Sequence, residues 1–147
     1  MALETSLVAD LVYLGWFCRY SPKDKPDHIV NTTIKSVAQG MGGVITAQAR
    51  ENVTDNSGFA FVHCNITGSS DPYLGRAWKE KPRVVFAYTY MGTLINSEGW
   101  SDGSHPEHAN TVYHGEYKCI GPGATSSGRV RFAKLLSKEE ARPFLRF

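Results

Sequence analysis

The sequence predicts an all-β chain, and three observations carry that reading. Several short segments alternate between two side-chain faces, the two-residue period of a strand. These segments are separated by turn residues and recur roughly every 20 residues, which suits stacked coils better than tight hairpins. Helical signal is confined to one short segment near the C-terminus. Pattern alone leaves a β-helix and a β-sandwich open.

The elements follow in order. Leu7 to Cys18 is an apolar run interrupted by Asp10. Residues 19–28, with two prolines, read as a polar loop or linker. Val44–Ala47 is short and β-branched. In Gly58–Thr67, Phe59 and Phe61 face one way, and Ala60, Val62, Cys64 and Ile66 the other. Arg83–Tyr90 repeats the pattern, with Val85, Ala87 and Thr89 as its small-residue face. Thr111–Cys119 sets Tyr113, Gly115 and Tyr117 against His114, Glu116 and Lys118; Arg129–Phe132 is a last short run. Ser137 with Glu140 three residues on forms a capping box, and Pro143 limits the helix it opens to a turn or two.

A length of 147 residues indicates one domain with room for a real core. A formal charge of +2 with no Lys/Arg run argues against a nucleic-acid partner. Cys18, Cys64 and Cys119 contain no CxxC pair, which argues against a zinc ribbon or redox dithiol. Cys64 and Cys119 read as small, half-buried residues. The Leu7–Cys18 run is short of the roughly 20 residues a membrane span needs. It also makes a poor signal peptide, since Glu4 precedes it and no basic residue opens the chain. Three sequons, at Asn31, Asn52 and Asn65, are glycosylation candidates and lean towards the secretory path.

Candidate chemistry is sparse. His105 and His108 flank Pro106-Glu107 among Ser, Gly and Asn residues, which reads as a solvated loop, and no metal site is expected there. His114 and Glu116 share one strand face and could act as an acid–base pair, although an exposed polar strand face fits them better. There is no G-x-S-x-G elbow and no phosphate-binding glycine loop. The segment Leu74-Gly-Arg-Ala-Trp-Lys79 differs in kind. On an extended chain Arg76 and Trp78 project to one side. A guanidinium can grip a carboxylate through two parallel hydrogen bonds, and an indole can stack on a sugar ring. The same pair would also serve as a structural salt bridge and a core tryptophan.

At this element the chain resembles plant-type pectinesterases (pectin methylesterases). The family's LGR-[PA]-W-K segment stands here as LGRAWK, residues 74–79. VITAQAR (44–50), GFAFVHCNITG (58–68), RVVFAYTYMGTLINSEGW (83–100) and GEYKCIGPGA (115–124) keep the family's order, and SKEEARPFL (137–145) is similar to its C-terminal segment. The resemblance covers residues 28–147 and leaves 1–27 unassigned. It implies a right-handed parallel β-helix, here its C-terminal coils, with a short C-terminal helix, and small residues such as Val85, Ala87 and Thr89 stacked inside. It also implies hydrolysis of galacturonate methyl esters in pectin, without metal or organic cofactor, in the extracellular cell wall. In such an enzyme one aspartate attacks the ester and a second acts as acid and base. Arg76 would orient the attacking aspartate, and Trp78 would contact the sugar.

The sequence departs from the family at one point. The aspartates lie in QD-T-L-Y and D-F-I-F-G segments, and the 147 residues contain neither. Asp10, Asp24 and Asp27 stand in other contexts. The expectation is an inactive fragment by itself, or alternatively a non-catalytic module that binds pectin or oligogalacturonides.

Overall fold

A computed structural model describes residues 26–36, 43–48, 50, 52, 54–76 and 80–146, and the backbone of 5–9 and 77. Its strands are β1 (Thr5–Ala9), β2 (Asp27–Val30), β3 (Thr32–Ser36), β4 (Val44–Gln48), β5 (Phe59–Val62) and β6 (Asn65–Gly68). They continue with β7 (Tyr73–Ala77), β8 (Arg83–Ala87), β9 (Tyr90–Met91), β10 (Trp100–Ser101), β11 (Tyr113–Tyr117) and β12 (Lys134–Leu135). A helix, α1 (Lys138–Leu145), closes the chain.

The strands form three sheets, ordered β1-β3-β6-β9, β4-β7-β10 and β2-β5-β8-β11-β12. From β2 to β11 the chain visits the three sheets in rotation, and β12 then returns to the sheet of β11. Every named pairing among the described residues is parallel. This is a parallel β-helix, and it resolves the choice that pattern alone left open. The register stacks one coil on the next: Ile29, Phe61, Phe86 and Glu116 form one rung, and Thr46, Gly75 and Trp100 another. β1 overlaps the start of the Leu7–Cys18 run and pairs with β3.

A repeated corner sets which residues face inward. Asn31, His63, Tyr88 and Lys118 all have φ near +50°. They occupy the same position in successive coils, where the first three donate backbone N–H to the Val62, Ala87 and Tyr117 carbonyls in turn. A left-handed non-glycine residue costs about 1 kcal/mol or more, and here the stacked hydrogen bonds offset it. The corner adds one residue to the alternation. Phe59 and Phe61 before it therefore share the lumen with Cys64 and Ile66 after it. Strict alternation places those last two on the opposite face, and the corner corrects that expectation.

The lumen is filled by large side chains. Phe61 and Phe86 stack at 4.5 Å, Phe86 meets Trp100 at 5.9 Å, and Trp100 stacks on His114 at 4.4 Å. Val85 and Ala87, expected inside, lie on the outer face of their sheet. There they pack with Ala60, Val62, Leu136, Ala141 and Phe144 under α1. Both faces of that sheet are buried, so alternation reveals two faces without saying which is inner. The small residues face out because a helix must approach the sheet closely there. Thr89 is buried at the corner, its hydroxyl donating to the Phe61 and Ala87 carbonyls. The run Arg129–Phe132, expected as a strand, falls outside the named strands; β12 comes just after it.

The capping box is present as read. The Ser137 hydroxyl accepts from the Glu140 N–H, and the Glu140 carboxylate accepts from the Ser137 N–H. His28 donates from Nε2 to the Phe144 carbonyl at 2.9 Å, and Phe144 stacks on Tyr113 at 5.7 Å. The helix is thus held to the sheet mainly by apolar burial. Phe144→Ala is expected to lower unfolding free energy by about 3 kcal/mol, and Ser137→Ala by about 1 kcal/mol, measured by urea denaturation.

Candidate functional site

The site is built on β7. Its first requirement is Gly75. Thr46 and Trp100 flank Gly75 in register from the neighbouring strands. A Cβ there would lie 2.6 Å from Thr46 Oγ1 and 2.9 Å from Trp100 Cζ3. Only glycine lets the fully buried Trp100 ring lie against β7. The next residue, Arg76, is exposed, between Ala47 and Ser101 in register. Among the described residues Arg76 makes no hydrogen bond or salt bridge. Trp78 lies outside the described residues, so the geometry fixes only the arginine of the pair.

Beneath Arg76's strand sits a buried polar network. Trp100 donates from Nε1 to Glu116 Oε2 at 3.2 Å. Arg129 grips the same carboxylate with Nε at 2.9 Å from Oε2 and Nη2 at 2.8 Å from Oε1. It also donates to the Gly123 carbonyl at 2.7 Å and the Ser97 carbonyl at 3.1 Å. The two charged side chains are 4% and 5% exposed, so this pair is fully desolvated and satisfied by a bidentate fork. Gly99, at φ +77°, passes so close that a Cβ would meet Arg129 Cδ at 2.4 Å.

Glu116 and His114 are therefore not an exposed polar strand face. Both point into the lumen, which corrects that reading. They do not form an acid–base pair either. His114 stacks on Trp100 and meets Phe132 at a tilt, 6.4 Å between centroids, and neither ring nitrogen has a hydrogen-bond partner. Burial pushes its pKa down to about 3, so it is neutral at ordinary pH. Cys64 is buried and Cys119 half-buried, both as free thiols. Burial raises the pKa of each, Cys119's to about 12, which removes both as nucleophiles.

His105, Glu107 and His108, read as a solvated loop, sit on a 3-10 turn that begins at Pro106. An open cleft of about 680 Å³ lies beside it, lined by Asp102, Pro106, Ala109, Asn110 and residues 129–132. Arg76 is not among the lining residues. The three sequon asparagines, Asn31, Asn52 and Asn65, are exposed. Among the described residues no helix is long and apolar enough to cross a membrane.

The fold is a parallel β-helix, with Arg76 exposed and unpartnered among the described residues on one of its sheets, and comparison with known proteins places the chain in a family. The pectinesterase family profile matches residues 29–146. The chain belongs to the pectinesterase family. It is 44% identical over 103 residues to Pectinesterase QRT1 of Arabidopsis thaliana, covering 70% of this chain and 27% of that protein. It is 43% identical over 113 residues to Pectinesterase 2 of Olea europaea, covering 77% and 30%. The solved pectin methylesterase from carrot superposes with a TM-score of 0.69 at 25% identity, covering 81% of this chain and 48% of that one. The pectin methylesterase from Aspergillus niger gives 0.57 at 27% identity, covering 76% and 44%. The chain thus spans about a third of the length of the curated relatives it matches.

The buried imidazole has a consequence for stability. The unfolded chain takes up a proton at His114 near pH 6.5, whereas the folded one does so only near pH 3. Stability contributed by the neutral ring is present above pH 6.5 and is lost as pH falls, by about 1.4 kcal/mol per pH unit. Chemical denaturation at pH 7 and pH 5 is expected to show this slope, and His114→Phe is expected to flatten it.

Proposed function

We propose that residues 28–147 form the C-terminal coils of a pectinesterase domain and contribute the arginine–tryptophan side of its site. Arg76 carries this reading. It is exposed on β7 without a partner among the described residues, inside the 74–79 segment that carries the family resemblance. A guanidinium in that state is free to hold a carboxylate through a planar fork. In a complete domain the fork would keep a nucleophilic aspartate ionised and aimed at the ester carbonyl. The aspartate would displace methanol, and water would then release the galacturonate. Trp78, two residues on, would stack on the sugar ring.

Both carboxylates of that scheme lie in segments that these 147 residues do not contain. The 147-residue chain by itself is therefore proposed to be inactive, since loss of a nucleophile costs several powers of ten in rate. Residues 1–27 are proposed as a separate segment that closes the open end of the solenoid, which the pairing of β1 with β3 supports. An extracellular, cell-wall location is proposed from the family, and exposure of Asn31, Asn52 and Asn65 supports it.

A second reading rests on the same free arginine. Arg76 and Trp78 could grip oligogalacturonides without cleaving them. The two readings separate in one set of measurements. Methanol release from methyl-esterified pectin is expected to be at background for the 147-residue chain, and turnover abolished by Arg76→Ala would overturn inactivity. Tryptophan fluorescence titrated with demethylated oligogalacturonide reads binding. A saturable change lost in Trp78→Ala supports the binding module, and no change, or an equal change in the variant, rejects it.

A further inference from the structure

We propose that the turn at residues 105–108 is a binding site for a divalent transition-metal ion of the Zn²⁺ class, held by His105, Glu107 and His108. The ligand atoms of these three residues all lie within 4.8 Å of one another. His105 Nδ1 is already 3.1 Å from Glu107 Oε1, close to the separation of two ligands on one tetrahedral ion. The His105 and His108 rings lie face to face, with centroids 5.0 Å apart. Two imidazoles and a carboxylate suit a borderline metal better than Mg²⁺ or Ca²⁺, which favour all-oxygen shells.

The backbone explains why these residues converge. Pro106 at the first position of the turn, which in sequence suggests only a loop, starts a 3-10 turn over Pro106–Asn110. In a 3-10 turn the side chains at i and i+3 eclipse, which brings His108 over His105. The turn is pinned at both ends. His105 N–H donates to the Asp102 carbonyl, His108 N–H to the His105 carbonyl and Thr111 N–H to the His108 carbonyl. The Thr111 hydroxyl reaches the Glu80 carbonyl on the preceding coil. A ligand set on a fixed backbone loses less entropy when the ion binds.

A second observation points the same way. His108 Nδ1 is buried and has no hydrogen-bond partner, which leaves a polar atom that an ion could satisfy. The surface pair His105–Glu107 accounts for itself as a hydrogen bond between groups 59% and 66% exposed. It does not account for the second imidazole. Both exposed side chains can rotate the ångström or so that drawing three ligands onto one ion requires. An ion there would stiffen the wall of the cleft formed by Pro106, Ala109 and Asn110. The site shares no residue with Arg76 and stands or falls independently of the proposed function.

The test is calorimetric titration of Zn²⁺ into the whole chain, paired with thermal melts with and without Zn²⁺. One ion per chain is expected, with a rise in Tm that grows with Zn²⁺ concentration, since the ion binds the folded state. His105→Ala and Glu107→Gln change exposed side chains and leave the fold intact, as far-ultraviolet circular dichroism will show. Each is expected to weaken binding at least about tenfold, the loss typical even of an outer-shell metal partner, and to abolish the Tm rise. Absence of binding, or binding unchanged in both variants and hence owed to other histidines or thiols, would overturn the proposal.

Discussion

The ion pair between Glu116 and Arg129 is the interaction on which the rest of this structure leans. A desolvated carboxylate and guanidinium are costly inside an apolar lumen unless each polar atom is occupied. Here the carboxylate takes two donors from Arg129 and one from Trp100, and the guanidinium spends further donors on the Ser97 and Gly123 carbonyls. The contacts join β10, β11, the β9–β10 connection through Ser97 and the β11–β12 connection through Gly123 and Arg129. In a solenoid each coil is fixed only by its neighbours, so a cross-coil bond of this kind sets the position of the last turns relative to one another.

The consequence reaches the surface through Trp100. Its ring is oriented by the Glu116 bond, held from below by His114 and pressed against Gly75. The residue after Gly75 is Arg76. An exposed side chain is thus carried on a backbone whose inner side is locked by an aromatic ring and a buried charge pair. This gives a physical meaning to the segments through which the chain resembles its family. Glycines at 75 and 99 and the acid at 116 preserve the interior geometry beneath the exposed Arg76. Rigid support below a binding group is what keeps it at a productive geometry.

Much of this was legible in the residues. Short alternating segments gave the strands and the Ser137–Glu140 box gave α1, while the LGRAWK segment left Arg76 open between a ligand-binding and a structural role. Three things were not legible, each for a physical reason. The left-handed corner at His63 and Tyr88 uses non-glycine residues, so nothing marked the shift in parity that brings Cys64 and Ile66 inside. Val85 and Ala87 belong to a sheet buried on both faces, where period two cannot distinguish lumen from helix-covered surface. Glu116 reads as polar and exposed because its partners are distant in sequence: Arg129 arrives from the following connection and Trp100 from the strand before it. The 105–108 turn shows the reverse case, in which a proline that argues for a loop shapes the turn that gathers three ligands.

The central claim is that Glu116 and Arg129 act as one unit that locks the coils under β7. A double-mutant cycle in urea denaturation, with Arg129→Met, Glu116→Leu and the combined variant, measures this directly. Each single change is expected to cost about 3–5 kcal/mol, because it leaves a buried charge without its partner. The combined variant is expected to cost less than the sum, with a coupling of at least about 1 kcal/mol. Single losses below about 1 kcal/mol, or losses that add within about 0.5 kcal/mol, would contradict the account.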